Sequence, residues 1–144
     1  MKKAIIFIFY FVCTFCHAQE VAISPNDLIS TKWELVDNGD YPEKVKKTIE
    51  FTRTEINNVR ILSGKTKSFK KNYYISNVIP QEYSTTLVGK NVPNGKYLVV
   101  LNPKLENMIV YKIESFSTDS LILSILNGEH LWGALMVQKY ARVK

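Results

Sequence analysis

Short runs of alternating hydrophobic and polar residues, separated by turn residues, cover most of this chain. In residues 48–52, the apolar Ile49 and Phe51 alternate with polar residues, so that their side chains would share one face. A period of two is the pattern of a half-buried β-strand. The segments that carry a strand pattern are residues 33–36, 48–52, 56–62, 68–76, 82–88, 97–101, 108–114, 121–126 and 135–143. Residues 82–88 are the weakest of these, because the segment is rich in threonine.

Turn dipeptides and short connections indicate how these strands pair. Asn94-Gly95 and Asn127-Gly128 are strong turn signals. Most connections are too short for crossovers, so consecutive strands are expected to be antiparallel neighbours. A meander that closes on itself also removes its exposed edges. The predicted fold class is therefore all-β, an antiparallel up-and-down β-barrel of about eight to nine strands, preceded by one short N-terminal helix with the capping pattern of residues 24–27.

The first eighteen residues have the layout of a bacterial secretory signal peptide. A positive head precedes an apolar run from Ala4 to Cys16, and small residues lead to a predicted cleavage after Ala18. The run is shorter than the roughly 20 residues that a membrane-spanning helix needs. We therefore expect residues 1–18 to be removed and the protein to be periplasmic or secreted. Lipid attachment at Cys16 is the competing interpretation, which Phe15 disfavours because a lipoprotein signal has a small residue there.

Cleavage would leave one domain, residues 19–144, with little of the chemistry that enzymes use. Both cysteines lie in the predicted signal, so the remaining chain would have no disulfide and no thiol nucleophile. His130 would be its only histidine, and together with Glu129 it is interpreted as part of an exposed loop. No phosphate-binding loop, dinucleotide fingerprint or hydrolase motif occurs. The sequence therefore predicts no catalytic residues, no metal site and no cofactor.

The charge of the mature chain is moderately basic. Without Lys2 and Lys3, 17 basic residues face 13 acidic ones, which gives a net charge of +4. Nucleic acid is not an expected partner of an exported protein, whereas an anionic envelope surface or an acidic protein would fit this charge. The simpler interpretation is that lysines solvate the outer faces of the strands.

Residues 31–36, Thr-Lys-Trp-Glu-Leu-Val, follow a short helical turn and resemble the opening of lipocalin-like (calycin) barrels, in which Gly-x-Trp begins the first strand. Thr31 stands at the position of that glycine. The hairpin of residues 111–123 and the ending Tyr140-Ala141-Arg142 are also similar to small exported lipocalin-like domains of bacteria. The resemblance implies that Arg142 covers the ring of Trp33 and closes one end of the barrel. This pair would be structural, with no role in ligand binding.

An eight-stranded barrel either fills its interior with side chains or leaves room for one small ligand. Lys71 would share a strand face with aromatic neighbours and is the candidate for holding an anionic head group, although it could instead reach water at the barrel mouth. The candidate ligand-binding residues are Lys71, Tyr73, Tyr97, Tyr111 and Trp132. Packing in the core or at the rim is the competing interpretation for the aromatic members.

The sequence thus favours a non-catalytic exported protein that binds a small apolar or amphipathic molecule inside its barrel. An enzyme on the same barrel, a hydrolase or isomerase, is a third hypothesis, which the missing nucleophile, base and metal combinations disfavour. The main alternative is a periplasmic protein-binding module of the inhibitor or immunity type, with a filled barrel. Its contacts would come from the loops and from two lysine clusters, one at Lys44, Lys46 and Lys47 and one at Lys65, Lys67, Lys70 and Lys71. The predicted protein does not span a membrane, and its oligomeric state is left open.

Overall fold

The computed structural model of the protein describes residues 21–36, 46–102, 107–126 and 137–144. The predicted signal peptide, the Glu129–His130 pair and the candidate ligand residue Trp132 lie outside these described residues. The same holds for Lys44 of the first lysine cluster.

One short helix, α1 (Pro25–Leu28), precedes the barrel, as the capping pattern predicts. Asn26 donates its backbone N–H to the Ser24 hydroxyl, and the Ser24 N–H donates to the Asp27 carboxylate at 2.7 Å, so both partners of a capping box are present. The helix ends at Leu28 because Ile29 takes an extended ψ of 135°. Leu28 is fully buried, so the helix packs its apolar side against one end of the barrel.

Eight strands form one closed antiparallel barrel, in which each strand pairs with the next in sequence and β1 pairs with β8. This confirms the predicted all-β, up-and-down barrel with one short N-terminal helix. The strands are β1 (Lys32–Leu35), β2 (Lys46–Phe51), β3 (Glu55–Leu62), β4 (Lys65–Ser76), β5 (Tyr97–Asn102), β6 (Asn107–Phe116), β7 (Ser120–Ile125) and β8 (Val137–Arg142). Closure leaves no strand of the barrel with an unpaired edge.

The strand predicted for residues 82–88 is wrong. This segment belongs to the long connection between β4 and β5 and contains only a 3₁₀ turn, Thr85–Leu87. Its apolar residues Tyr83, Leu87 and Val88 pack on the outer face of the barrel, against a cluster formed by Tyr74, Val99 and Val110. Their spacing suits a turn that folds back onto a surface, and threonine content alone does not supply the alternation of a strand.

The end of the barrel next to α1, called here the closed end, is filled by large side chains. Its principal members are Trp33, Phe51, Tyr73, Ile75, Leu98 and Leu121. Phe51 and Tyr73 meet edge to face, with their ring centroids 5.4 Å apart, a favoured aromatic geometry. The chain before α1 lies across this end, where Ile23 and Gly95 exchange two backbone hydrogen bonds of 2.9 and 2.8 Å.

Candidate ligand-binding site inside the barrel

On β2 and β3, the inward face changes from apolar to polar with distance from the closed end. On β2 the inward residues are Phe51, Ile49 and then Lys47, and on β3 they are Ile56, Asn58 and then Arg60. The cross-strand register places Lys47 directly opposite Arg60 and Ile49 opposite Asn58. The opposite end, called here the hairpin end because the β3–β4 turn at Ser63-Gly64 lies there, is therefore the basic end of the interior.

Lys71 on β4 completes this group. It lies on the same strand face as Phe69, Tyr73 and Ile75, as the alternation predicted, and it pairs in register with Ile56. Its charge, together with that of Arg60, acts on the amine of Lys47. Lys47, Arg60 and Lys71 are called here the interior basic cluster.

The Lys47 amine is buried and firmly held. Only 7% of the residue is exposed, and its Nζ donates to the Gln138 Oε1 of β8 at 2.7 Å. The Tyr140 hydroxyl donates to the same oxygen, and the Lys47 Nζ lies 5.3 Å from the Tyr140 ring centroid. Burial, and after it the charges of Arg60 and Lys71, lower the pKa of Lys47 from 10.5 to about 7.

The described inward-facing residues include no carboxylate that could balance this charge. The ion pairs in the part of the chain that the structure describes, Lys46–Glu34 and Lys112–Glu114, join partly exposed side chains on the outer surface. Neither Lys47 nor Arg60 forms an ion pair with a described acidic residue. Among the described residues near the hairpin end, the inward faces of β2 and β3 thus carry the basic side chains of Lys47 and Arg60 and no acidic one.

Exposure differs among the inward residues towards the hairpin end. Val100 of β5, Ile109 of β6, and Ile49, Leu123, Gln138 and Tyr140 of β2, β7 and β8 are buried. The inward residues that retain accessible surface are Asn58, Arg60, Phe69 and Lys71 on β3 and β4, Tyr111 on β6 and Leu35 on β1. The interior beside β3 and β4 is therefore less completely filled than the closed end, whose inward residues retain almost no accessible surface.

Two polar groups beside the interior basic cluster are also notable. Tyr111 keeps some accessible surface, and burial of its hydroxyl raises the pKa of that group to about 12. The Oδ1 atom of Asn58 is buried and accepts no hydrogen bond from any described residue. A buried polar atom without a partner is uncommon and calls for an explanation.

The sequence-based candidates fall into three positions. Lys71 and Tyr111 belong to the interior near the hairpin end. Tyr73 also faces inward, but it is buried at the closed end, where its hydroxyl donates to the Thr52 carbonyl at 2.7 Å, so it serves the core. Tyr97 lies on the outer face, packed against the cluster of Tyr74, Val99 and Val110, and the structure does not bring it together with the others.

Sequence reasoning missed Lys47, Arg60 and Asn58 as site residues. Lys47 was assigned to a surface lysine cluster, although it lies two positions from Ile49 and therefore on the inward face of the same strand. Arg60 and Asn58 likewise share the face of Ile56. The signal was the same alternation that identified the strands, extended by one or two residues past the last apolar one.

The contact between Trp33 and Arg142 lies at the other end of the barrel. The two residues are partners in the β1–β8 register, and the Arg142 Cζ lies 5.9 Å from the ring centroid of Trp33. The indole Nε1 donates to the Thr31 hydroxyl at 2.7 Å, and that hydroxyl donates to the Leu28 carbonyl. Thr31 thus links the tryptophan to the end of α1.

In comparisons with protein families, with curated proteins and with solved structures, nothing matches this chain. Over the described ranges, no group of three or more histidine, cysteine or acidic side chains could hold a metal ion. No helix within those ranges is long and apolar enough to cross a membrane.

Proposed function

We propose that this protein is an exported, non-catalytic binding protein that holds a small apolar or amphipathic molecule inside the hairpin end of its barrel. The observation that carries the proposal is the unequal filling of the interior: the closed end is packed, whereas the inward side chains of β3 and β4 near the hairpin end keep accessible surface. A site of this kind binds by burying apolar ligand surface, at roughly 25 cal/mol per Å².

The same observation favours ligand binding over the protein-binding alternative. A module that works through its loops and lysines needs its barrel only as a scaffold, so large side chains would fill every layer. Here the layer around Asn58 and Tyr111 is lined by half-buried polar and aromatic side chains. This is the mixed lining expected of a small-molecule site, with apolar walls and a few fixed polar groups.

A lipocalin-like relationship and export by residues 1–18 belong to the same proposal. The tryptophan of β1 capped by an arginine of the last strand supports the relationship, and the charge and hydropathy pattern of the first eighteen residues supports export. A periplasmic or secreted carrier would shield its ligand from water between two membranes or surfaces.

The test is native mass spectrometry of the protein produced as the full chain in an exporting bacterium and recovered after any processing. A reproducible additional mass that extracts into organic solvent supports a carrier and gives the class of its cargo. A bare protein mass, both as isolated and after incubation with envelope lipids, would count against the carrier and favour a role for the outer surface.

A matched pair of variants separates the interior from the surface. Asn58→Phe adds bulk on the inward face of β3, and Asn57→Phe adds the same bulk to the outward face one residue earlier. We expect Asn58→Phe to abolish the additional mass and Asn57→Phe to retain it. Loss in both variants, or in neither, would contradict a site inside the barrel.

A further inference from the structure

We propose that the outer surface of the hairpin end docks onto a lipid bilayer that contains anionic lipids. Two features form this surface. One is residues 62–68 at the turn between β3 and β4, called here the hairpin tip, and the other is an apolar rim formed by Val36, Leu126 and Val137. The inference goes beyond the proposed function, because it concerns the outside of the protein and needs no ligand inside the barrel.

The hairpin tip projects from the barrel. Leu62 pairs in register with Lys65, so the loop between the two strands consists of Ser63 and Gly64 alone. Both loop residues have positive φ, 48° and 75°, which is the backbone of a tight two-residue hairpin turn. Every residue of the tip is exposed, and successive side chains of a strand point to opposite faces. Both faces of the hairpin therefore meet solvent, which a strand inside the barrel wall would not allow.

The hairpin tip and the strand that follows it are basic. Between Glu55 and Glu82 the sequence contains no acidic residue. Lys65 and Lys67 are exposed on one face of β4, and Lys70 is exposed on the other. In the part of the chain that the structure describes, no acidic side chain forms an ion pair with any of these three lysines. Their charges are therefore able to interact with an anionic surface.

Exposed apolar side chains gather at the same end of the barrel. Leu62 lies at the hairpin tip, and Val36, Leu126 and Val137 lie where β1 and β7 end and β8 begins. These four side chains are between 43% and 67% exposed. The backbone N–H groups of Val36 and Leu126 each donate to a carbonyl of the neighbouring strand, so the sheet fixes the positions of both residues. The hairpin end thus presents apolar side chains to water beside its lysines.

This combination fits an anionic bilayer. Lysines near a membrane surface are attracted by anionic head groups, while adjacent apolar side chains enter the boundary between head groups and acyl chains. Lys65 stands directly opposite Leu62, and Lys67 lies two residues further along β4, so both amines would stay at the level of the head groups when Leu62 enters the boundary.

Other partners fit the same surface less well. A soluble polyanion would use the lysines but leave the apolar side chains in water. A protein interface of ordinary size takes about 800 Å² from each partner and keeps its apolar centre inside a polar rim. Here the apolar Leu62 stands at the projecting tip, and the lysines follow behind it.

The experiment measures binding of the protein to sedimenting vesicles, with the protein produced as the full chain and recovered after any processing. Vesicles of phosphatidylcholine alone are compared with vesicles that also contain phosphatidylglycerol, an anionic lipid. We expect the anionic vesicles to be bound about tenfold or more tightly, and we expect this preference to shrink when salt is raised from about 0.1 M to about 0.5 M.

Two double variants test whether the lysines of the hairpin tip supply the attraction. Each lysine close to an anionic surface contributes roughly fivefold in affinity, so Lys65→Gln combined with Lys67→Gln should weaken binding about tenfold or more. The matched control combines Lys32→Gln with Lys90→Gln, which removes the same charge from exposed positions towards the closed end. We expect the control to bind within about threefold of the wild type.

A second pair of variants tests the apolar contact. Leu62→Asn should weaken binding to the anionic vesicles about threefold or more, whereas Ile79→Asn, at an exposed position outside the hairpin end, should leave it unchanged. Circular dichroism verifies that the barrel is intact, and either pair of variants is sufficient if one protein of the other pair does not fold.

Equal binding to both kinds of vesicle, or to neither, would overturn the inference. An equal loss in the two double-lysine variants would overturn it as well, because net charge and not the hairpin tip would then cause the attraction. A protein that ignores vesicles but forms a dimer, which Leu62→Asn dissociates in analytical ultracentrifugation, would assign this surface to a contact between two copies. None of these outcomes bears on the additional mass expected of a ligand inside the barrel, so the proposed function is tested separately.

Discussion

Replacing Lys47 by methionine should make the ligand-free protein more stable. Methionine has a similar length and shape but carries no charge, so it leaves no cavity in the wall between β2 and β8. Gln138 Oε1, which accepts a hydrogen bond from Lys47, also keeps a donor in the variant, because the Tyr140 hydroxyl donates to the same oxygen. The substitution therefore removes one buried amine and leaves its surroundings satisfied.

The magnitude follows from the pKa of Lys47, which falls from 10.5 in an unfolded chain to about 7 in the folded protein. Each pKa unit corresponds to about 1.4 kcal/mol, so burying the charged amine costs on the order of 5 kcal/mol, of which about 4 kcal/mol is still present at pH 7. The lost hydrogen bond to Gln138 offsets about 1–2 kcal/mol. We expect the free energy of unfolding to rise by about 2–3 kcal/mol at pH 7.

The pH dependence of the free energy of unfolding provides a second test of the buried Lys47 amine. Between the folded pKa of about 7 and the unfolded value of 10.5, the unfolded chain binds more protons than the folded one, so this lysine makes stability increase with pH. Below pH 7 both states are protonated and the slope disappears. The methionine variant should lack the slope, so its advantage over the wild type should shrink steadily between pH 7 and pH 9.5.

The assay is urea unfolding of the delipidated protein, followed by circular dichroism at pH 6, 7, 8 and 9.5. Delipidation is necessary because a bound ligand would stabilise the wild type by mass action. Lys70→Met is the matched control, because it removes an exposed outward lysine from β4. A Lys47→Met protein that is no more stable than the wild type at pH 7, with an unchanged slope, would refute the reasoning.

Two further predictions concern the closed end and the tyrosines. Gly95→Ala should lower the free energy of unfolding by about 1–3 kcal/mol, because the Cβ of the alanine would lie 1.9 Å from the Ile75 Cγ2. An unchanged midpoint of thermal unfolding would disprove the tight contact. Burial raises the pKa values of Tyr73 and Tyr111 from 10.0 to about 12. Their contribution to the free energy of unfolding is therefore complete below pH 10 and is lost as pH rises towards 12. Spectrophotometric titration should show these two tyrosines ionising together with unfolding, whereas ionisation of all tyrosines near pH 10 in the folded protein would contradict the prediction.

The sequence by itself determined the architecture of this protein. Alternation in segments such as residues 48–52 and 108–114 identifies strands because one face of each is buried, and short connections leave antiparallel neighbours as the simplest pairing. The capping residues around α1 identified the helix for a similar reason, since they act within a few residues of each other. Local rules of this kind can be recognised without any knowledge of the tertiary structure.

Only the tertiary structure decided which polar residues meet inside the barrel. Lys47, Arg60 and Lys71 are separated by ten or more residues in sequence, and the register of β2, β3 and β4 brings them onto one inner wall. Tyr97 was predicted to face inward, but it lies on the outer face of the barrel. The β4–β5 connection covers that face, so an outward tyrosine is half buried there and has the same sequence pattern as an inward one. Alternation shows which residues share a face of a strand. What each face contacts is decided by the closure of the barrel and by the folding of the long β4–β5 connection. Closure and the folding of this connection both depend on contacts between residues distant in sequence.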